Sequence, residues 1–344
     1  LKTGLFGYIT ESMAMAIRDS AFHKSMIYNE STLNTATIPK TVYNWAKMFN
    51  VEVQKATPAY ANISIIIPTS SLDTYLESEA TEATIIRYGI PSTTTNFLIL
   101  NKEDPILAGD YYFSLEHSIL LKKDNSNKYG AEYITTEYIS TQYQTNIPLK
   151  LEVKKVMSDD NLTENLVISA RAYQYRKTEF KRQISSNSFL NKVQKFDFED
   201  QFCGAKLFYK ENNVDKEILL QYSDLSVDVE NTAFYNLSSE NELEIIFKNG
   251  KNTFLPSSNT LLRVLIYSTK GANVPNKYSS DALMLISDTK LKSLPIVIQF
   301  ESSIFSGTSM PSLTDIKQTI IDEISTRKTI TTKSDLNADR KSVV

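Results

Sequence analysis

Short runs of β-branched and aromatic residues, separated by polar breaks, fill the middle of the chain and favour a β-rich fold. Residues 63–68 form a β-branched run that ends in proline, which is typical of a strand. Residues 149–153 alternate apolar with charged side chains, which predicts one buried and one exposed face. Further strands are predicted at 84–88, 96–100, 111–121, 132–138, 166–174, 205–209, 218–222, 242–247 and 261–267.

The N-terminal region instead repeats apolar residues at helical spacing. A first helix is predicted over residues 9–29. Its apolar stripes are formed by Ile9, Met13, Ile17, Ala21, Phe22 and Met26. We expect these six residues to form a partner interface in a bundle with neighbouring chains, and burial within the same chain is the open alternative. A second helix is predicted to begin near Pro39 and end near Asn50, with Trp45 and Phe49 in the core.

A last helical pattern follows the β-rich stretch. Thr314 is expected to cap this helix, and four isoleucines between residues 316 and 324 form its apolar stripe. Residues 326–344 are polar, and we expect them to need further chain or a partner for order.

Helices at both ends and strands between them predict an α+β, multi-domain chain. A length of 344 residues allows two or three folding units. The predicted units are an N-terminal helical region at 1–55, a first β-rich domain at 56–146, a second at 147–300, and a C-terminal helix with a polar tail at 301–344. We expect further residues upstream of the first and a C-terminal assembly region beyond the last.

Composition excludes several classes of protein. One cysteine excludes an intrachain disulfide, and with only two histidines it cannot build a Cys/His zinc site. Nine glycines argue against glycine-rich phosphate loops, and a net charge of −3 gives no broad attraction to nucleic acid. No apolar run approaches the roughly 18 residues needed to cross a bilayer. We therefore expect no metal, cofactor, nucleic acid or membrane partner.

Catalytic motifs are also missing from the sequence. It contains no Gly-x-Ser-x-Gly elbow, Walker loop, His-Glu-x-x-His pair or Cys-x-x-Cys pair. His23 and His117 lack a recognisable nucleophile pattern, so we expect surface or interface histidines. Cys203 is expected to be a buried, inert thiol. We predict no catalytic residues and no enzymatic activity.

Two groups of charged residues leave alternatives open. Carboxylates could supply the pair that a glycosidase needs, although their spacing selects no pair. Basic residues interleaved with aromatic ones could bind single-stranded nucleic acid or form a strand face that resists aggregation. Nearby Glu179 and the acidic net charge favour the strand face. The carboxylates are Glu199, Asp200, Glu240, Glu242 and Glu244, and the mixed cluster is Arg171, Tyr173, Tyr175, Arg176, Lys177, Phe180, Lys181 and Arg182.

Four short blocks, spread over nearly the whole chain, occur in one order. The first block covers residues 4–19. The second begins with a helical segment at 43–51, which ends in an "A-x-x-x-G/N-V" pattern from Ala46 to Val51. An "x-A-T-x-A" pattern and a strand follow it. The third block covers 243–276 and contains Ile245-Ile246-Phe247-Lys248-Asn249-Gly250. The fourth covers 313–336 and ends in Ser334-Asp335-Leu336. In this order the blocks resemble the J-like baseplate wedge proteins of contractile-tailed bacteriophages, and the first resembles versions found in large myoviruses.

The resemblance implies a structural, non-enzymatic role. Such a protein joins wedges into a six-fold baseplate around the tail tube and rearranges when the tail contracts. The implied partners are other baseplate wedge proteins, further copies of the chain, and sheath-initiating and spike-connecting tail proteins. The implied location is the tail baseplate of a virion that is assembled in the host cytoplasm. A tail-associated receptor-binding adhesin module and a glycan depolymerase remain alternatives.

Overall fold

The computed structural model describes residues 15–326 apart from 16, 22, 135–148, 159–161, 185–191, 212–213, 223–229, 249, 251, 258 and 280. Strands dominate this part of the chain and helices lie near both ends, so the predicted α+β, multi-domain class is confirmed. None of the helices described is long and apolar enough to cross a membrane.

The elements follow the predicted order of helix, strands and helix. Residues 17–21 and 23–30 belong to the N-terminal helix. The later helices are α1 (Pro39–Met48), α2 (Thr69–Leu72), α3 (Glu82–Tyr88) and α4 (Leu313–Thr326). The strands are β1 (Tyr60–Pro68), β2 (Phe97–Leu100), β3 (Ile106–Ala108), β4 (Tyr111–Leu115), β5 (Ser118–Lys123), β6 (Tyr129–Ile134), β7 (Leu149–Leu151), β8 (Val153–Met157), β9 (Glu164–Gln174), β10 (Arg176–Gln183), β11 (Lys192–Asp197), β12 (Gln201–Glu211), β13 (Val214–Gln221), β14 (Thr232–Ser239), β15 (Glu242–Phe247), β16 (Leu261–Thr269), β17 (Ala282–Met284) and β18 (Val297–Phe300).

The first large sheet closes on itself. Its order is β1-β18-β17-β3-β4-β9-β8, and β1 also pairs with β9 in antiparallel register from Tyr60↔Tyr173 to Pro68↔Asn165. The strand predicted at 63–68 is confirmed as part of β1, and Ile63, Ile65 and Ile67 on one face of it are fully buried inside the sheet. A four-stranded sheet in the order β2-β5-β6-β7 contributes Leu98, Leu100 and other apolar side chains to the same core.

The second large sheet has the order β10-β16-β12-β13-β14-β15-β11. Its two outer strands approach each other, since the Phe180 and Phe196 rings lie 5.3 Å apart and Arg182 Nη1 donates to Gln194 Oε1 at 2.5 Å. The sheet therefore curls around a second core. Helices α1 and α4 cover this core with buried side chains that include Val42 and Ile320.

The two cores are assembled from segments that are distant in the sequence. The first uses residues between 59 and 172 and again between 274 and 304, and the second uses residues between 36 and 56, between 184 and 266 and between 310 and 320. The predicted units 56–146 and 147–300 thus both supply the first sheet, because β1 and β9 are its most extensively paired strands.

Two predicted strands have a different local structure. Residues 84–88 belong to α3 instead, because Thr81 Oγ1 accepts the Thr84 N–H at 3.3 Å and Gly89 ends the helix at φ 61°. Segment 111–121 is two strands, β4 and β5, with a bend at residues 116–117. The end of predicted strand 132–138, from 135 onward, lies outside the described residues.

Ser312, rather than the predicted Thr314, caps α4. Ser312 Oγ accepts the Asp315 N–H at 3.2 Å, and Asp315 Oδ2 accepts the Ser312 N–H at 3.1 Å. This reciprocal pair is a capping box, which satisfies two backbone donors at the helix start. Of the predicted stripe, Ile316 and Ile320 are buried in the second core and Ile324 packs against it, whereas Ile321 is 38% exposed.

Trp45 packs partly buried against the second core and stacks on Phe49, with ring centroids 5.8 Å apart. We expect Trp45→Ala to lower the free energy of unfolding of the isolated chain by about 2 kcal/mol, because a large aromatic contact is lost at a partly buried site. Urea denaturation followed by circular dichroism measures this change. An unchanged midpoint would show that the ring contributes nothing to the core.

Candidate interaction surfaces

The N-terminal helix stands exposed along its described length. Every described residue from 15 to 29 is exposed, including Ala21, and the exposed fraction reaches 70% for Ile17 and 39% for Met26. Of the predicted interface, Ile17, Ala21 and Met26 are therefore not buried within the chain. Ile9, Met13 and Phe22 lie outside the described residues.

The described apolar residues of this helix are not confined to one face. At 3.6 residues per turn, Met15 and Met26 share one side, Ile17 and Tyr28 share the opposite side, and Ile27, 71% exposed, lies between them. Met15 and Tyr28 are also exposed, at 53% and 74%. A helix of this length is marginal in water without packing. We infer that covering it requires contacts on both sides.

The end of the N-terminal helix is bonded to the body of the protein. Glu30 Oε1 accepts the Thr37 N–H at 2.7 Å, the Thr37 hydroxyl at 2.9 Å and the Ile38 N–H at 3.2 Å. Lys317 Nζ on α4 donates to the Asn34 carbonyl at 3.3 Å. The exposed helix thus continues from a point that is connected to both α1 and α4.

The basic cluster is paired within the chain. Lys181 lies 3.2 Å from Glu179, and Arg171 lies 4.0 Å from Glu116. The Arg182 guanidinium lies 5.0 Å from the centre of the Phe196 ring. Two further ion pairs join Arg176 to Glu199 and Lys177 to Glu103. These partners neutralise much of the positive charge, which favours the interpretation as a strand face.

Most of the candidate carboxylates are occupied in a similar way. Lys195 Nζ lies 3.0 Å from Glu242 and 2.8 Å from Glu244, and hydrogen bonds to Glu244 and then Glu242 raise the pKa of Lys195. Glu240 accepts the Gln201 amide at 3.4 Å. Asp200 occupies a turn with φ 63°. These carboxylates serve ion pairs, hydrogen bonds and a turn, and the structure does not single out a catalytic pair among them.

The two histidines and the single cysteine do not lie in a recognisable catalytic arrangement with other described residues. His117 lies between β4 and β5 with its ring edge-to-face with Tyr133 at 5.4 Å, and His23 is exposed on the N-terminal helix. Cys203 is half-buried rather than buried as predicted, and the burial that it has raises the pKa of its thiol to about 12, so the thiol stays protonated near neutral pH. Within the part of the chain that the structure describes, no three His, Cys, Asp or Glu side chains group as metal ligands.

Four chain segments pass between the two cores at one place, which we name the junction and define as residues 56–59, 174–176, 269–272 and 307–310. Thr57 N–H donates to Thr308 O at 2.9 Å, and Thr308 N–H donates back at 3.1 Å. Gln174 is 1% exposed, and its Oε1 accepts the Thr269 hydroxyl at 2.6 Å. The backbone N–H of Gln174 donates to Ala59 O at 2.7 Å. Buried hydrogen bonds therefore connect the segments.

Two glycines permit the close approach of these segments. Gly271 has φ 57°, and a Cβ there would lie 2.8 Å from Ser309 Cα. A Cβ on Gly307 would lie 2.1 Å from Thr57 O. Sequence reasoning missed the junction, and the signal that could have indicated it was the position of these two residues among only nine glycines.

Asp73 connects α2 to the four-stranded sheet. Lys123 Nζ donates to its Oδ2 at 2.7 Å and Tyr129 to its Oδ1 at 2.5 Å, and these two hydrogen bonds lower the pKa of Asp73 below its usual 3.8. Ionised Asp73 therefore stabilises the fold above pH 3.8, and this contribution is lost as pH falls through the lowered pKa. We expect the urea-stability difference between the wild type and Asp73→Asn to shrink from about pH 6 to about pH 3. A constant difference would contradict this assignment.

Comparison with known proteins adds no relative. No protein-family model matches the chain, and no curated protein matches it. The function is therefore inferred from the sequence resemblance together with the surfaces described above.

Proposed function

We propose that this chain is a structural component of the baseplate wedge of a contractile phage tail. In this role it joins wedges into a six-fold baseplate, rearranges on tail contraction and carries out no catalysis. The observation that carries the proposal is the order of the resemblance blocks, whose distinctive residues occupy positions that restrict the backbone or the core.

Asn50 is the clearest of these positions. Helix α1 ends at Met48, and Asn50 has φ 52°, a conformation that glycine and asparagine adopt most readily. Val51 N–H then donates to Ala46 O at 2.8 Å, and the Val51 side chain is buried. The "A-x-x-x-G/N-V" block therefore has a physical meaning in this chain, because it ends the helix and directs the chain toward the junction.

The later blocks also fall on structural positions. Ile245 and Phe247 are fully buried in the second core, and Gly250 O accepts the Thr253 hydroxyl at 2.8 Å in the following turn. Gly271 lies in the junction, and α4 covers the second core. The terminal Ser334-Asp335-Leu336 lies outside the described residues, so its part of the resemblance rests on sequence alone.

The geometry suits a scaffold. A junction of four bonded segments connects the two cores far more tightly than a single linker, so force on one core is passed to the other through backbone contacts. The N-terminal helix presents apolar residues on two sides, which fits an obligate contact with other wedge proteins or further copies of the chain. We assign the partner interface to Ile9, Met13, Ile17, Ala21, Phe22 and Met26.

Co-expression tests the proposal. The tagged full-length chain, produced together with the other tail proteins of its source, is expected to co-purify with wedge components in a stable complex of fixed stoichiometry. Purification of the chain alone, with the other wedge proteins assembling without it, would contradict a wedge role. Turnover of cell-wall or capsular glycan, lost on substitution of one carboxylate, would instead establish the depolymerase alternative.

A further inference from the structure

A cavity of about 360 Å³ lies between β2, α3 and the loop that follows β17. Its volume falls in the range of sites that hold a small molecule or a single large side chain. Apolar walls come from Phe97, Leu98 and Tyr88, which are nearly fully buried. Polar groups converge on the same space from Asp104 and from Glu77 and Asp288.

Asp104 is the unusual member of this cavity. It is 3% exposed, and its Oδ1 accepts the Ser287 N–H at 3.0 Å and the Ser287 hydroxyl at 2.5 Å. Among the residues that the structure describes, none donates a hydrogen bond to its Oδ2, although the residue lines the cavity. This oxygen is not among the side-chain atoms that are buried without a partner, so it faces the open space of the cavity, where a cation can form an ion pair with it.

The cavity as a whole also favours a cation. Glu77 and Asp288 add two carboxylates. Lys290, the one lysine among the described residues that line the cavity, is 77% exposed and lies 3.9 Å from Glu77. Such a long, solvated ion pair leaves Glu77 open to a competing cation. Tyr88 and Phe97 form part of an apolar wall beside these carboxylates, and an ion pair is stronger next to such a wall than in open water.

We propose that this cavity binds a guanidinium group, carried by an arginine side chain of a partner protein. Asp104 Oδ2 is its buried ion-pair partner, and Glu77 contacts it at the mouth of the cavity. Guanidinium fits better than ammonium because it is planar, bonds carboxylates through two N–H groups and is more weakly hydrated, so it enters a partly apolar cavity more readily. The proposal does not depend on the wedge assignment, since an adhesin could use the same site.

A matched pair of probes tests the proposal on the full-length chain. N-acetyl-arginine amide carries the guanidinium, and N-acetyl-citrulline amide has nearly the same shape without the charge. Methyl NMR of Leu98, Ile99 and Leu291, which line the cavity, reports binding of either probe. We expect saturable shifts with the arginine probe and about tenfold weaker binding of the citrulline probe, as a charged hydrogen-bonded pair requires.

Substitutions locate the effect. Asp104→Asn keeps an oxygen for Ser287 but removes the charge, so we expect it to abolish the preference for the arginine probe. The same change at Asp281, an exposed residue that accepts the Gln299 amide at 3.0 Å, is expected to leave the preference intact. Glu77→Gln, at the mouth of the cavity, is expected to reduce the preference for the arginine probe severalfold. This variant replaces Asp104→Asn in the test if Asp104→Asn does not fold. Equal binding of both probes, or an unchanged preference in either cavity variant, would overturn the proposal.

Discussion

Gly307→Ala is expected to destabilise the whole chain by about 3 kcal/mol, because a methyl group has no space in the junction. Its Cβ would lie 2.1 Å from Thr57 O, 2.7 Å from Ala59 N and 2.8 Å from Pro58 C. These are backbone atoms, so no side-chain rotation relieves the contact. The segments would have to separate, and the paired hydrogen bonds between Thr57 and Thr308 would lengthen or break.

Urea unfolding with two probes measures this effect on both cores. Trp45 fluorescence reports the second core, against which the ring packs, and far-ultraviolet circular dichroism reports strands of both sheets. We expect the two midpoints to fall together in Gly307→Ala. Gly130→Ala is the control, because no atom lies within 4 Å of a Cβ at that position. A shift in only one probe would show that the junction does not couple the cores.

Ile17→Asp is expected to prevent assembly with the wedge while leaving the isolated chain folded. Ile17 is 70% exposed, so its replacement changes the stability of the monomer by no more than about 0.5 kcal/mol. In the assembled interface the same carboxylate would be buried without a partner, which costs several kilocalories per mole. We therefore expect recovery of the complex in the co-expression pull-down to fall about tenfold or more.

Ser25→Asp provides the matched control for this experiment. Ser25 is an exposed polar residue of the same helix, and its substitution introduces the same charge outside the apolar positions. It is expected to assemble like the wild type. Met13→Asp, on the predicted interface, is expected to behave like Ile17→Asp. Normal recovery of the Ile17→Asp complex would show that this helix does not form the partner interface.

The sequence predicted the elements whose periodicity is strong. Strand β1 and the helices α1 and α4 have one buried face, so their apolar spacing reports their conformation directly. Strand β10 was indicated only as the favoured strand face of the basic cluster, and β11 was missed, because both lie at the edges of the second sheet and have exposed faces rich in charge. Helix α3 was mistaken for a strand because its capping by Thr81 and Gly89 outweighs its β-branched isoleucines.

The arrangement of the cores and the cavity could not be predicted in this way. Pairing of β1 with β9 joins residues about a hundred positions apart, and periodicity contains no information on which distant strands pair. The cavity residues Asp104 and Ser287 are even further apart in the chain, so neither stands out in the sequence. Whether the N-terminal helix packs on its own chain also depends on tertiary structure, so its apolar stripes alone could not predict its exposure.

The position of this chain in an intact particle tests the wedge assignment most directly. Cryo-electron microscopy of particles from its source, with the two closed sheets and the four-segment junction fitted to the density, gives that position. We predict copies in a six-fold ring at the end of the tail, with the N-terminal helix packed on both sides against neighbouring chains. Density for the chain only in peripheral fibres would contradict the assignment and favour the adhesin.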